Sequence, residues 1–241
     1  MSKDRMLLAV LIDADNIPAK YARPILKEIT SLGEPALRRV YGDWSSDRLN
    51  SWKKEVVQLG LVATQETANT TGKNASDIGL VIDAMDILHT GRFDGFVLVS
   101  SDSDFTALAN RLREDGVQVI GIGEAKAPVS LREVCNRFIL IENIVEAPKE
   151  EEPKKGRAPA PAPTKEQPAK VVPLVLKAMN AIDPEGEWYS LSQVGQYVVR
   201  ANPDFDPRTY GRAKLSELMI ATGRFEVRKA PGNQTEVRRT D

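Results

Sequence analysis

One cysteine and one histidine in 241 residues remove two large classes of chemistry at the outset. Cys135 has no partner for an internal disulfide, and Arg132-Glu133-Val134-Cys135-Asn136 is the setting of a small buried residue. His89, in Ile87-Leu88-His89-Thr90-Gly91, reads as a group at a helix C-terminus. Zinc coordination and cysteine catalysis therefore lose their usual ligands. A reducing, cytoplasmic setting is expected. No apolar run approaches the roughly 20 residues needed to cross a bilayer, so no membrane partner is expected. The start, Met1-Ser2-Lys3-Asp4-Arg5, lacks a leader-cleavage pattern.

A strong charge imbalance is also missing. The net charge is −1, with 41% apolar and 28% charged residues, as in ordinary globular proteins. Residues 1–146 hold 17 Lys and Arg against 21 Asp and Glu, residues 147–170 hold 6 against 4, and residues 171–241 hold 10 against 9. No global field attracts a polyanion, so nucleic-acid contact would have to use local patches.

The length suits one sizeable domain and a smaller one. Leu7 to Ile12 is a continuous apolar run, the mark of a central parallel strand. A helix is expected from Pro24 to Ser31, ending before Gly33. A strand over Leu37–Tyr41 follows, then a helix capped by Ser45 or Ser46 and running to Gly60. A short strand covers Leu61–Thr64. Ile78, Val81, Met85 and Leu88 step by 3, 4 and 3, predicting a buried helical stripe. Phe96–Val99 is a second central strand, followed by a helix to Gly116 and a strand over Val117–Ile122. A helix over Leu131–Asn136 and a strand over Phe138–Ile141 close the pattern. Strand–helix alternation argues for a parallel α/β sheet covered on both faces.

From 147 to 170 six prolines stand among Lys, Glu and Ala, the composition of a disordered linker. Residues 171–241 then read as a small winged helix: helices over Val171–Asn180, from Ser190, and over Arg208–Met219, then a hairpin around Pro231–Gln234.

Acidic residues cluster at three places: Asp13-Ala14-Asp15-Asn16, Asp77 in Lys73-Asn74-Ala75-Ser76-Asp77, and Ser101-Asp102-Ser103-Asp104-Phe105. The first and third directly follow strands, at the carboxyl edge where α/β sheets bind ligands. Taken singly, Asp15, Asn16, Asp43 and Asp102 are ordinary helix caps. Asp13 lies at a strand tip, and only one of Asp102 and Asp104 can cap. Several carboxylates on one edge repel one another unless their pKa values rise or a cation sits among them. A divalent ion on oxygen ligands resolves the conflict, and phosphodiester cleavage is a common use.

The runs Leu11-Ile12-Asp13-Ala14-Asp15-Asn16, Lys73-x-x-Ser-Asp77 and Ser100-Ser101-Asp102-Ser103-Asp104-Phe105 resemble the NYN domain of the PIN-like nuclease superfamily, in its LabA-like branch. The resemblance spans about residues 6–145. It implies that Asp13, Asp77 and Asp102 hold Mg²⁺ or Mn²⁺ in a ribonuclease, with Asp104 either an additional metal ligand or a residue supporting the ligands, and Asn16 orienting substrate or metal-bound water. Asp43 is a further acidic position that a cap explains equally well. Lys73 either meets the scissile phosphate or is a solvated loop lysine. Ser101 and Ser103 either fix the aspartates or begin a helix. The tail is similar to the OST-HTH, or LOTUS, domain over roughly 168–230, through Asp204-Phe205-Asp206-Pro207-Arg208-Thr209-Tyr210-Gly211, Lys214-Leu215-Ser216-Glu217-Leu218 and Phe225-Glu226-Val227. That likeness implies RNA as a partner, with Arg208, Tyr210, Arg212 and Lys214 as contact groups, or with Tyr210 in the core and the basic residues solvated.

The reading that follows is a metal-dependent endoribonuclease with domain 1–146, linker 147–170 and RNA-binding domain 171–241. Self-association is left open. A haloacid-dehalogenase-like phosphatase also begins with Asp-x-Asp but wants Thr where Asn16-Ile17 stands. A non-catalytic RNA-binding adaptor with a vestigial acidic site is the other alternative.

Overall fold

The computed structural model describes residues 5–65, 75–145 and 165–240. The chain divides into two compact units, the first ending at Val145. Lys73 and the segment 146–164, most of the expected linker, lie outside the described residues.

In the first unit β1 (Leu7–Asp13), β2 (Glu34–Gly42), β3 (Val62–Gln65), β4 (Gly95–Val99), β5 (Gln118–Gly123) and β6 (Arg137–Leu140) form one sheet in the order β3-β2-β1-β4-β5-β6. Every pairing is parallel. Between them run α1 (Ala22–Leu32), α2 (Asn50–Leu59), α3 (Ala75–His89), α4 (Thr106–Glu114) and α5 (Val129–Val134), and α6 (Ile141–Ile144) follows β6. Leu8 to Ile12 are fully buried because helices cover both faces of the sheet. Leu8, Val10 and Ile12 pack with Ile25 and Ile29 of α1 and Trp52 of α2. Ala9 and Leu11 pack with Leu80 and Ala84 of α3 and Leu108 and Leu112 of α4. Each buried Leu or Ile contributes about 1.5–3 kcal/mol, so the continuous apolar run of β1 is an energetic requirement of its central place.

Chain order reverses between β1 and β4. This topological switch point leaves a crevice outside the carboxyl ends of two adjacent strands. Glycine makes part of that edge possible. A Cβ on Gly123 would stand 2.5 Å from the Ser100 carbonyl oxygen, so only glycine lets the chain after β4 lie against the end of β5.

Several local expectations need correction. The buried face of α3 carries Leu80, Ala84, Ile87 and Leu88, while Ile78 is 60% exposed. The helix is apolar on several sides, and stepping by 3 and 4 fits more than one face. Ser46 caps a 3-10 turn over Asp47–Leu49 rather than α2 itself, which begins at Asn50. In the second unit the chain is already engaged before 171: Glu166 N–H donates to the Thr209 carbonyl at 2.9 Å. Pro168 opens a 3-10 turn over Pro168–Val171, where its missing N–H costs nothing.

The second unit contains α7 (Val172–Ile182), β7 (Tyr189–Ser190), α8 (Leu191–Ala201), α9 (Leu215–Ala221), β8 (Phe225–Lys229) and β9 (Thr235–Arg239). Its antiparallel sheet has the order β7-β9-β8. The expected helix over Arg208–Met219 is broken. A 3-10 turn over Pro207–Tyr210 ends at Gly211, whose φ of 73° is left-handed, and α9 starts only at Leu215. Val175, Met179, Tyr189, Val194, Val198, Leu218, Phe225 and Val237 form the core between helices and hairpin.

Candidate metal centre and nucleic-acid interface

Asp13 ends β1 and is only 2% exposed. Its Oδ1 accepts the backbone N–H groups of Asp15 and Asn16 at 3.1 and 3.2 Å. Its Oδ2 accepts Asn16 Nδ2 at 2.7 Å and the Ser100 hydroxyl at 2.8 Å. Four donors thus fill the four acceptor positions of one carboxylate. Asp13 is itself the cap of the turn that follows β1, and Asp15 is exposed. Burial raises the Asp13 pKa; the bonds from Asn16 and Ser100 oppose that, and the charge of Asp15 adds to it.

Ser100 is buried just beyond β4 and works in two directions. Its Oγ donates to Asp13 and accepts the Asp102 N–H at 3.1 Å. The serine that fixes the first aspartate is therefore neither Ser101 nor Ser103. Ser101 Oγ accepts the Glu124 N–H at 2.9 Å, and Ser103 stands at 3.5 Å from the carboxylates of Asp102 and Asp104. The register signalled this role: Ile12 pairs with Val99, so the next residues, Asp13 and Ser100, meet. Asp102 caps the 3-10 turn over Ser103–Phe105, its Oδ1 accepting the Asp104 N–H at 3.0 Å. It is half-buried, and Asp104 is exposed.

Asp77 lies in the first turn of α3, half-buried. Its pKa is pushed up to about 6, first by burial and then by the negative charges of Asp13, Asp102, Asp104 and Asp15. A helix N-terminus alone would favour the ionised form; burial and like charge outweigh it. The three sequence motifs thus act on one locus. Among the described residues neither Lys nor Arg pairs with Asp13, Asp77 or Asp102. Nor, among them, do three His, Cys, Asp or Glu side chains stand in a ready-made metal cage. The donor set fits a hard cation nonetheless: oxygen ligands only, with mutual repulsion that no basic side chain among the described residues relieves.

Asp43 caps the turn that follows it. Its Oδ1 accepts the N–H and hydroxyl of Ser45 at 3.1 and 2.5 Å, and those bonds lower its pKa. Cys135 is buried, and burial pushes its thiol up to about 12, so it is no nucleophile.

A cleft of about 410 Å³ opens beside Asp15 and Asn16, lined also by Lys20, Arg48 and Trp52. Trp52 is buried and its Nε1 donates to the Ile17 carbonyl at 2.7 Å, pinning the segment after Asp13. Lys20 and Arg48 went unread in the sequence because 28 residues separate them and no motif links them.

A model of the NYN domain matches residues 7–142. The chain belongs to the NYN domain family. A model of the OST-HTH/LOTUS domain matches residues 163–237, so the winged-helix unit is of that type. NYN domains are PIN-like and typically ribonucleases, and OST-HTH domains point to RNA binding. A Vibrio parahaemolyticus protein of unknown function shares the fold at 18% identity and a TM-score of 0.50, over 58% of this chain and 96% of that one. An uncharacterized Nitrosomonas europaea protein is 31% identical over 39% of this chain and 93% of its own. Its TM-score is 0.27, too low to indicate a shared fold. No protein of curated function matches. Among the described residues no helix is long and apolar enough to cross a membrane.

The OST-HTH residues expected to meet RNA divide. Arg208 is bound to buried Asp206 through Nη2 at 2.7 Å and Nε at 3.0 Å, so its guanidinium supports the fold. Tyr210 packs against Phe205 with ring centroids 6.0 Å apart, and burial raises its pKa. Arg212 and Lys214 are exposed.

Proposed function

We propose that the NYN unit is an endoribonuclease using Mg²⁺ or Mn²⁺ held by Asp13, Asp77 and Asp102, and that the OST-HTH unit captures RNA for it. The observation that carries this reading is the Asp77 carboxyl, whose proton affinity is raised first by burial and then by the charges of Asp13, Asp102, Asp104 and Asp15. Such a locus is a poor place for unneutralised anions and a good one for a divalent cation. When bound, the ion supplies an activated water and stabilises charge on the phosphate oxygens.

The chain's own residues set the stage. Ser100 ties Asp13 to the Asp102 turn, so the two carboxylates keep a fixed relation. Asn16 Nδ2 is the partly exposed donor on Asp13, and its withdrawal opens that carboxylate to an ion. Asn16 is then a positioning residue, and Asp104 serves from the rim. Lys20 and Arg48 offer cations for RNA phosphates beside the acidic site. The proline-rich segment between the units would raise the local concentration of captured RNA near the carboxylates.

The test is cleavage of a 5′-labelled single-stranded RNA with Mn²⁺, Mg²⁺ or EDTA. Internal cuts that need metal support the reading. RNA bound but left intact under all three conditions makes the chain an adaptor with a vestigial site.

A further inference from the structure

The outward face of the OST-HTH sheet carries a feature that no motif marks. Glu226 pairs with Arg238 and Arg228 with Glu236 across β8 and β9, while Val227 and Val237 between them point to the core. Tyr189 pairs with Val237, so Trp188, one residue earlier, falls on the outward side beside Arg238. The Arg228 guanidinium lies 3.7 Å from the centre of the Trp188 ring and that of Arg238 lies 4.7 Å away. Trp188 is half-buried, and both arginine side chains are substantially exposed, at 48% and 36%.

We propose that Trp188, Arg228 and Arg238 form a stacking platform on this sheet for the bases of single-stranded RNA. The proposal rests on the RNA-capture reading of the same unit and names its surface. A tryptophan buried for stability alone would sit under the sheet with Val237. This one stands over it, with planar cations at stacking distance. Single-stranded nucleic acid is recognised by that combination of an aromatic face and guanidinium planes.

The charge fits as well. Arg224, Arg228, Lys229, Arg238 and Arg239 outnumber Glu226 and Glu236 in the hairpin. Arg238 is paired with Glu187 and Glu226, and Arg228 with Glu236. Glu187 is 72% exposed, and ion pairs as exposed as that one hold only weakly against competing anions. A phosphate can therefore displace Glu187 from Arg238. Duplex RNA hides its base faces and would not use the platform. Arg208 and Tyr210, committed to Asp206 and Phe205, leave this face the better candidate.

The experiment uses the full chain in EDTA with a fluorescein-labelled oligouridylate 12-mer, its duplex with oligoadenylate, and a 4-thiouridine version for photo-crosslinking. Wild type should prefer the single strand. Trp188→Leu keeps apolar bulk without the π face and should weaken binding roughly 10-fold; Trp188→Phe should retain most of it. Crosslinks in wild type should map to 186–190 or 224–239, a readout that needs no variant to fold. Unchanged affinity in Trp188→Leu, or crosslinks confined to 207–221, would overturn the platform while leaving RNA capture intact, and would assign the face to a protein partner. Failure of wild type to bind any of the RNAs would overturn the capture reading and the platform together.

Discussion

The Ser100 hydroxyl donates to Asp13 Oδ2 at 2.8 Å, joining two strand ends 87 residues apart in sequence. The bond crosses the switch point of the sheet, and the same oxygen receives the Asp102 N–H. Ser100→Ala should therefore lower RNA cleavage by about 10- to 100-fold, the usual cost of losing a group that orients a metal ligand. It should also lower stability by about 1–3 kcal/mol, because a buried carboxylate loses a donor. Rate measurements at saturating Mn²⁺ alongside urea denaturation separate the two effects.

Titration of the site should be visible without RNA. Asp77 holds its proton more tightly folded than unfolded, with a folded pKa of about 6 against an ordinary carboxyl value of 3.8. In metal-free protein its contribution to stability is full below the unfolded value and is lost as pH rises through about 6. Asp13 shifts in the same direction. Mn²⁺ competes with that proton, so its affinity should rise with pH and level off above about 6. Calorimetry from pH 5 to 7.5 measures this; a flat profile would show that the ion does not touch Asp77.

Arg48→Ala combined with Lys20→Ala should raise KM for RNA and spare kcat, since both cations line the cleft beside Asp15. The salt slope of RNA binding should shrink by roughly 0.7 for each lost phosphate contact. An unchanged slope would mean that RNA takes another path.

Tyr41→Phe probes the scaffold. The Tyr41 hydroxyl and Arg39 guanidinium both donate to Asp83 of α3, tying the helix that carries Asp77 to β2. Loss of one of these bonds should cost about 1–3 kcal/mol in chemical denaturation. Cleavage should fall less than in Ser100→Ala, because Asp83 keeps Arg39.

The central strands and the acidic edge were legible for one physical reason. A strand buried on both faces must be apolar throughout, so Leu7 to Ile12 and Phe96 to Val99 announced themselves, and the aspartates that follow them had to lie at the sheet edge. Where several answers satisfied the same pattern, sequence failed. The α3 helix has apolar residues on more than one side, and spacing chose Ile78 where burial chose Leu80. The break after Tyr210 rests on the left-handed Gly211, which a helical pattern can hide. Ser100 needed strand register, and Trp188 needed two arginines 40 and 50 residues away.

Cleavage and metal binding measured together on one set of variants test the central claim most directly. Wild type, Asp13→Asn, Asp77→Asn and Asp102→Asn would be compared for Mn²⁺ affinity and for cutting of single-stranded RNA. The account predicts that each variant remains folded, binds Mn²⁺ more weakly and cuts more than about 100-fold more slowly. Full cutting by Asp13→Asn, or wild-type cutting that survives EDTA, would contradict it.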